Sequence, residues 1–129
     1  MITILIIDDE QATLQMLALY LEACGHHVLT AEDEVTGLAV FKEQKPDIVL
    51  TDIKMPGKDG FDVLRQIKAI EPQTEVVVIT GHGDKDLARQ AFSLRASAFF
   101  NKPLDTEALE AAIREIEQRL NTSGGANPS

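Results

Sequence analysis

Five short runs rich in Ile and Val, each separated from the next by a helix-length segment, restrict what this chain can fold into more than any other feature. The runs are Ile2 to Ile7, Val28 to Thr30 (the weakest), Ile48 to Thr51, Val76 to Thr80 and Ala98 to Phe100. Runs that are apolar at nearly every position suit strands buried on both faces, as in a parallel sheet. The segments between them have helical periodicity. Gln11 to Ala23 places Leu14, Leu17, Ala18 and Leu21 on one face, with Gly25 as a stop. Val35 to Gln44 follows the acidic start Glu32-Asp33-Glu34 and ends before Pro46. Asp62 to Ile70 aligns Val63, Leu64, Ile67 and Ile70 and ends before Pro72, and Asp84 to Leu94 is a weaker helix. Leu104 to Leu120 opens with Asp105-Thr106-Glu107, a charge pattern suited to a helix N-terminus, and carries Leu109, Ile113, Ile116 and Leu120. Five strand–helix alternations imply right-handed crossovers and an α/β fold, a single-domain doubly wound five-stranded parallel sheet.

The chain has 129 residues, 44% apolar and 26% charged, which is enough for one domain that buries roughly two-thirds of its unfolded surface. A formal net charge of −9 argues against direct binding to nucleic acid or to anionic membranes. Cys24 is the single cysteine, so no internal disulfide can form. The apolar start runs straight into Asp8-Asp9-Glu10 without a basic flank or a cleavage site. It reads as a buried strand rather than a signal peptide, and the expected compartment is the cytoplasm. The tail Asn121 to Ser129 is polar and helix-breaking, so the expected organisation is a domain over 1–120 and a linker or ragged end over 121–129.

In an open α/β sheet, chemistry gathers at the carboxyl ends of the strands. Strand one ends in Asp8-Asp9, strand three in Asp52, strand four in Thr80-Gly81, and strand five in Asn101-Lys102-Pro103. Three carboxylates, a hydroxyl and an ammonium thus converge from four segments. Clustered carboxylates need a cation to stay ionised, and an all-oxygen set suits a hard ion such as Mg²⁺ rather than zinc. A carboxylate screened in this way can attack a phosphoryl group. Lys102 and Thr80 then supply donors to the phosphoryl oxygens, and Gly81 leaves room for the group to enter.

Each residue also has a plainer reading. Asp8 and Asp9 could cap the first helix, Asp52 could open a turn, and Lys102 could be a solvated loop charge. Thr80 could be a β-branched strand residue, and Phe99 packing. Cys24, His26 and His27 lie at the opposite edge of the sheet and read as a small core residue beside loop residues rather than as a metal site. The sorting of Asp8, Asp9, Asp52 and Lys102 onto one edge favours the functional reading for those four.

The set Asp8-Asp9, Asp52-Ile53-Lys54-Met55-Pro56-Gly57, Thr80-Gly81 and Lys102-Pro103 resembles the receiver domains of two-component response regulators, over about residues 1 to 120. The resemblance implies the flavodoxin-like strand order 2-1-3-4-5. It implies that Asp52 is the phosphoacceptor. It also implies that Asp9, Asp52 and the backbone carbonyl of Lys54 are direct ligands of Mg²⁺ or Mn²⁺, with Asp8 supporting the metal through water. Thr80 and Lys102 would bind the phosphoryl oxygens, and Phe99 would move between outward and inward positions as Thr80 turns towards the group. Lys54 and His82 would tune access of hydrolytic water. The implied partners are a sensor histidine kinase or phosphotransfer protein as donor and an output domain or effector as target. The last helix, last strand and fourth helix would form a possible homodimer face. Such a domain catalyses its own phosphorylation and dephosphorylation and is not a turnover enzyme.

Three other classes fit less well. Haloacid-dehalogenase-type phosphatases need Asp-x-Asp on the first strand, and flavodoxin-like FMN proteins need a Ser/Thr/Gly phosphate loop there. A degenerate, binding-only receiver would not keep the full acidic, Thr and Lys set. A strand that starts almost at Met1 suggests an amino-terminal receiver. One departure concerns the glycine usual before the last strand. Here the residues are Leu94-Arg95-Ala96-Ser97, which puts a tight left-handed turn in doubt.

Overall fold

The computed structural model describes residues 2–53, 61–81 and 85–125. The chain alternates β1 (Thr3–Ile7), α1 (Gln11–Ala23), β2 (His27–Ala31), α2 (Glu34–Gln44), β3 (Ile48–Asp52), α3 (Phe61–Ile70), β4 (Glu75–Thr80), α4 (Lys85–Ser93), β5 (Ala98–Asn101) and α5 (Thr106–Gly125). All strand pairs are parallel, in the order β2-β1-β3-β4-β5. This is the doubly wound sheet expected from the alternation, in the flavodoxin-like order that the resemblance implies.

The central strands are buried because their side chains are covered on both faces. Ile4, Leu5, Ile6 and Ile7 of β1, Ile48, Val49 and Leu50 of β3, and Val76 to Ile79 of β4 expose nothing. Successive side chains go to opposite faces. Leu5, Ile7, Val49, Val76 and Val78 pack with α2, α3 and α4, whereas Ile4, Ile6, Ile48, Leu50, Val77 and Ile79 pack with α1 and α5. The edge strands β2 and β5 are only partly buried, which explains their weaker apolar signal. Among the described residues, no helix is long and apolar enough to cross a membrane.

Local chemistry sets the helix ends. Gly25, at φ 97°, closes α1, while the Gly25 and His26 amides donate to Glu22 O and Leu21 O. The Asp33 carboxylate accepts from the Thr36 amide at 2.7 Å and caps α2, so this helix begins at Glu34, one residue before the expected Val35. The Asp105 carboxylate accepts from the Glu107 and Ala108 amides, both at 3.1 Å, and starts α5 at Thr106 rather than Leu104. Gly37 of α2 lies against β1, where a Cβ would stand 2.5 Å from Ile7 Cδ1.

Two expectations are corrected. The left-handed turn before β5 forms without glycine: Arg95 adopts φ 72°, held by Ala96 N donating to Ala91 O at 3.0 Å and Ser97 N to Val76 O at 2.7 Å. The helix expected to stop at Leu120 continues through residues 121–125. Extending an existing helix adds one bond for each residue fixed, so even weak formers can be carried at its end.

Candidate functional site

At the carboxyl edge of the sheet, β1 delivers its first polar side chain, Asp8, straight out of the core. Asp8 is fully buried, and its amide continues the ladder by donating to Ala31 O at 3.1 Å. Its Oδ1 accepts from the Glu10 amide at 2.9 Å, while Asp9 turns to solvent. On the neighbouring strand, Asp52 ends β3 and is 3% exposed, in register with Ile79 of β4. Thr80, one residue beyond Ile79, is fully buried. The chain leaving β5 is tied to this edge, because the Lys102 amide donates to Thr80 O at 2.8 Å. The Lys102–Pro103 peptide is cis.

These backbone positions converge on one ammonium. Lys102 Nζ lies 2.9 Å from Asp8 Oδ2, 3.0 Å from Asp52 Oδ2 and 2.5 Å from Glu10 Oε1. Burial disfavours the charged lysine, but the carboxylates of Glu10, Asp8 and Asp52 around it outweigh that, so its pKa is raised. Burial also raises the pKa of Asp8, against the opposing pull of the Glu10 amide and of Lys102. The Glu10 carboxyl is held below its ordinary value, mainly by its hydrogen bond with Lys102.

The donor set fits a hard divalent cation. One oxygen each from Asp8, Asp9 and Asp52 lie within 4.8 Å of one another, and this is the sole such cluster among the described residues. Asp8 Oδ2 faces the ammonium as an ion pair but outside hydrogen-bond geometry. Among the described residues it has no hydrogen-bond donor, although it is buried. A buried carboxylate oxygen left in that condition favours a further cation.

The remaining candidates divide. Thr80 and Phe99 share one face of the sheet, because Phe99 pairs with Val78 and Thr80 follows Val78 by two residues. Phe99 is half-buried and packs on the α2–α3–α4 side with Leu87 and Leu94. Gly81 borders open space, so a Cβ there would meet nothing within 4 Å. Lys54 and His82 lie outside the described residues. Cys24 is a free, half-buried thiol whose pKa is pushed up first by burial and then by Glu110, and it joins no metal-ligand cluster among the described residues.

Sequence reasoning missed Glu10. It stands at the N-cap of α1 but makes no side-chain capping bond, and its carboxylate reaches Lys102 instead. The signal was present as the third acid of Asp8-Asp9-Glu10.

Residues 4–114 match the response regulator receiver domain family. This chain belongs to that family. It is 30% identical over 112 residues to the sporulation initiation phosphotransferase F of Bacillus subtilis (strain 168), covering 87% of this chain and 90% of that protein. It is 34% identical over 116 residues to the transcriptional regulatory protein GlrR of Escherichia coli (strain K12), covering 89% of this chain. The matched part spans 26% of GlrR. A crystal structure of a response regulator receiver domain protein from Clostridium thermocellum superposes with a TM-score of 0.87 at 41% identity, covering 92% of this chain and 96% of that one. The chain is therefore a receiver domain of two-component response regulators, a class of signalling module associated with aspartate phosphorylation and an acidic Mg²⁺ pocket.

Proposed function

We propose that this receiver domain accepts a phosphoryl group on Asp52 from the phosphohistidine of a sensor kinase or phosphotransfer protein. The observation that carries the reading is the Lys102 ammonium, 3.0 Å from Asp52 Oδ2 beside the three-carboxylate cluster. In the transfer, a carboxylate oxygen of Asp52 forms a bond to phosphorus as the phosphorus–nitrogen bond of the donor breaks. The electron pair leaves with the imidazole nitrogen, which recovers a proton from solvent. Charge spreads over the phosphoryl oxygens, and catalysis of such a step consists mostly of positioning and electrostatic stabilisation.

Each residue has a place in this scheme. Lys102 donates to a phosphoryl oxygen, and the Thr80 hydroxyl donates to another. Asp9, Asp52 and the Lys54 carbonyl hold Mg²⁺ or Mn²⁺, with Asp8 supporting it. When bound, the ion offsets carboxylate repulsion and the charge of the incoming group. Hydrolysis of the acyl phosphate returns Asp52, so the domain acts as a self-phosphorylating switch, not a turnover enzyme. Thr80 turning towards the phosphoryl group opens space for Phe99 to move inward. The two side chains share one face, which supports such a linked pair. That movement acts on an output domain or effector, or on a homodimer through α4, β5 and α5. The domain comprises residues 1–120, with the remainder a linker or tail into which α5 continues as far as Gly125. The net charge of −9 supports a module that touches neither nucleic acid nor anionic membranes directly, and the apolar start running into Asp8-Asp9-Glu10 without a basic flank supports a cytoplasmic one.

Incubation with acetyl phosphate and Mg²⁺ tests the reading. The protein should gain the mass of one phosphoryl group, Asp52→Asn should abolish the gain, and chelator should prevent it. Labelling of Asp52→Asn would move the acceptor elsewhere. No labelling of the unsubstituted protein, together with no response to beryllofluoride, would refute the switch.

A further inference from the structure

The charge of this chain is concentrated where a phosphodonor has to arrive. Every connection from a strand to the next helix begins at the carboxyl edge of a parallel sheet, the edge that carries Asp52. The segments from the last residue of each strand through the first four residues of the following helix hold 13 of the 21 acids but 4 of the 12 Lys and Arg residues. The rest of the chain holds 8 acids and 8 bases and is neutral. By position in the sequence, the whole net charge of −9 therefore belongs to these connections.

Helix stability explains part of this. Asp33 and Asp105 cap α2 and α5, and Glu34, Asp62, Asp86 and Glu107 stand in first turns, where acids are favoured. It does not explain Asp8-Asp9-Glu10, since α1 has no acid in its first turn and Glu10 makes no side-chain capping bond. The positive ends of the helix dipoles return about half a charge each, and a bound divalent cation offsets more, yet the edge stays negative. Asp9, Glu32, Asp33 and Glu107 are exposed, so the field reaches into solvent over about 8–10 Å at moderate salt. At the opposite edge the charges are mixed: Lys45 and Asp47 line one cleft, and Arg119 pairs with Glu75 at 3.5 Å.

We propose that this edge selects the phosphodonor by charge. It favours a phosphohistidine protein whose surface around the imidazole is basic, and it disfavours a donor that brings only anionic groups. The proposal rests on Asp52 being the acceptor and names the chemistry of the partner that reaches it. A phosphoryl group is itself anionic, so a small phosphodonor approaches against the field. Lys or Arg side chains flanking the phosphohistidine reverse the sign of the encounter. Lys102 does not reverse it at a distance, because Asp8, Asp52 and Glu10 surround its ammonium. Complementary fields raise association rates by about 10–10³-fold and lose their effect as salt rises.

Three synthetic peptides, each with one phosphohistidine flanked by lysines, serines or glutamates, test this. The second-order rate of Asp52 labelling is measured on the full chain in saturating Mg²⁺, at about 0.05 M and about 0.5 M ionic strength, where the screening lengths are about 14 Å and about 4 Å. At low salt the lysine peptide should transfer about tenfold faster than the serine peptide, and the glutamate peptide more slowly than both. At high salt the three rates should converge. Two double variants of equal charge test the location. Glu32→Gln with Glu107→Gln, at the carboxyl edge, should cut the lysine advantage about two- to threefold. Glu43→Gln with Glu71→Gln, at the amino edge, should leave it unchanged. Equal rates for the three peptides at low salt would refute the selection. An equal loss in both double variants would refute it too, since the effect would then belong to net charge and not to the edge. Labelling by acetyl phosphate but by no peptide also overturns it, whereas no labelling by any donor overturns the reading of Asp52 on which it rests.

Discussion

Replacing Lys102 with methionine removes the cation that faces two buried carboxylates, and the cost follows from the geometry. At 2.9 Å and 3.0 Å, and with an effective dielectric near 20, each pair has a gross attraction of about 5–6 kcal/mol. The variant need not lose that much, because a stranded carboxylate can bind a proton instead. At pH 7 that costs about 1.4 kcal/mol for each unit between the ordinary aspartate value near 3.9 and the solution pH, or roughly 4 kcal/mol. One proton shared at the cluster suffices, so this figure is a ceiling. Methionine needs no desolvation, which brings the expected loss to about 2–4 kcal/mol in chelator at pH 7.

The loss should depend on pH with a definite sign. Burial already raises the Asp8 pKa, and Lys102 opposes that rise. Without the lysine, the folded value climbs further above the unfolded one. The folded variant then holds more protons than the unfolded chain, so its stability falls as pH rises from the ordinary aspartate value towards the folded one. At pH 5 the ceiling shrinks to about 1.5 kcal/mol. Mg²⁺ should restore more stability to the variant than to the unsubstituted protein, because no ammonium competes for Asp8 and Asp52. Urea unfolding followed by far-ultraviolet circular dichroism, at pH 5 and pH 7 with and without Mg²⁺, measures all of this. A deficit below about 1 kcal/mol at pH 7, or one equal at both pH values, would refute the account of the cluster.

Three further substitutions test the scaffold. Gly37→Ala would press a methyl group to 2.5 Å from Ile7 Cδ1 inside the core; overpacking of about 1–3 kcal/mol should exceed the roughly 1 kcal/mol gained in helix propensity, and a raised urea midpoint would contradict the close approach. Arg95→Gly should stabilise the protein by about 0.5–1 kcal/mol in the same assay, since glycine relieves the left-handed strain at φ 72°, and a loss would mean that the arginine side chain matters more than its backbone. Lys68 is 9% exposed and donates to Thr74 O at 2.7 Å and Pro72 O at 3.3 Å, so Lys68→Met should cost about 1–2 kcal/mol by orphaning both carbonyls; no change would show that water replaces the ammonium there.

The fold was legible where burial is symmetric. Ile4 to Ile7, Ile48 to Leu50 and Val76 to Ile79 are covered on both faces, so their apolar runs could be read without knowing which face each residue meets. It was less legible at the edges and ends. His27 to Ala31 presents only one buried residue, and its strand signal is correspondingly faint. The start of α2 depended on Asp33 claiming the Thr36 amide. The turn at Arg95 went against the local rule, because a left-handed residue there is imposed by bonds to Ala91 and Val76 that sequence alone does not display. The end of α5 went against it too, since Asn121, Thr122 and Ser123 have poor intrinsic propensity yet extend a helix already anchored by Leu109, Ile113 and Ile116.

The site followed a different logic. Asp8, Asp52, Thr80 and Lys102 could be placed because each ends or follows a strand, and parallel strands bring their carboxyl ends to one edge. Glu10 could not, because its contact with Lys102 depends on a capping bond that it does not make and on a reach across to the residue after β5. The proposed switch pair, Thr80 and Phe99, lies between these cases. Strand alternation puts Thr80 with Val78, but only the register Val78–Phe99 sets Phe99 beside them on the α4 side, among Leu87, Ala91 and Leu94. Phe100 and Ile79 point the other way, into the side packed by α1 and α5. A response of the proposed kind would therefore start on the α4 face. There Ala91 is the one fully buried residue of α4 and Phe92 is 51% exposed, so a shift of Phe99 displaces less packed surface than a shift of Phe100 against Leu109 and Ile113 would.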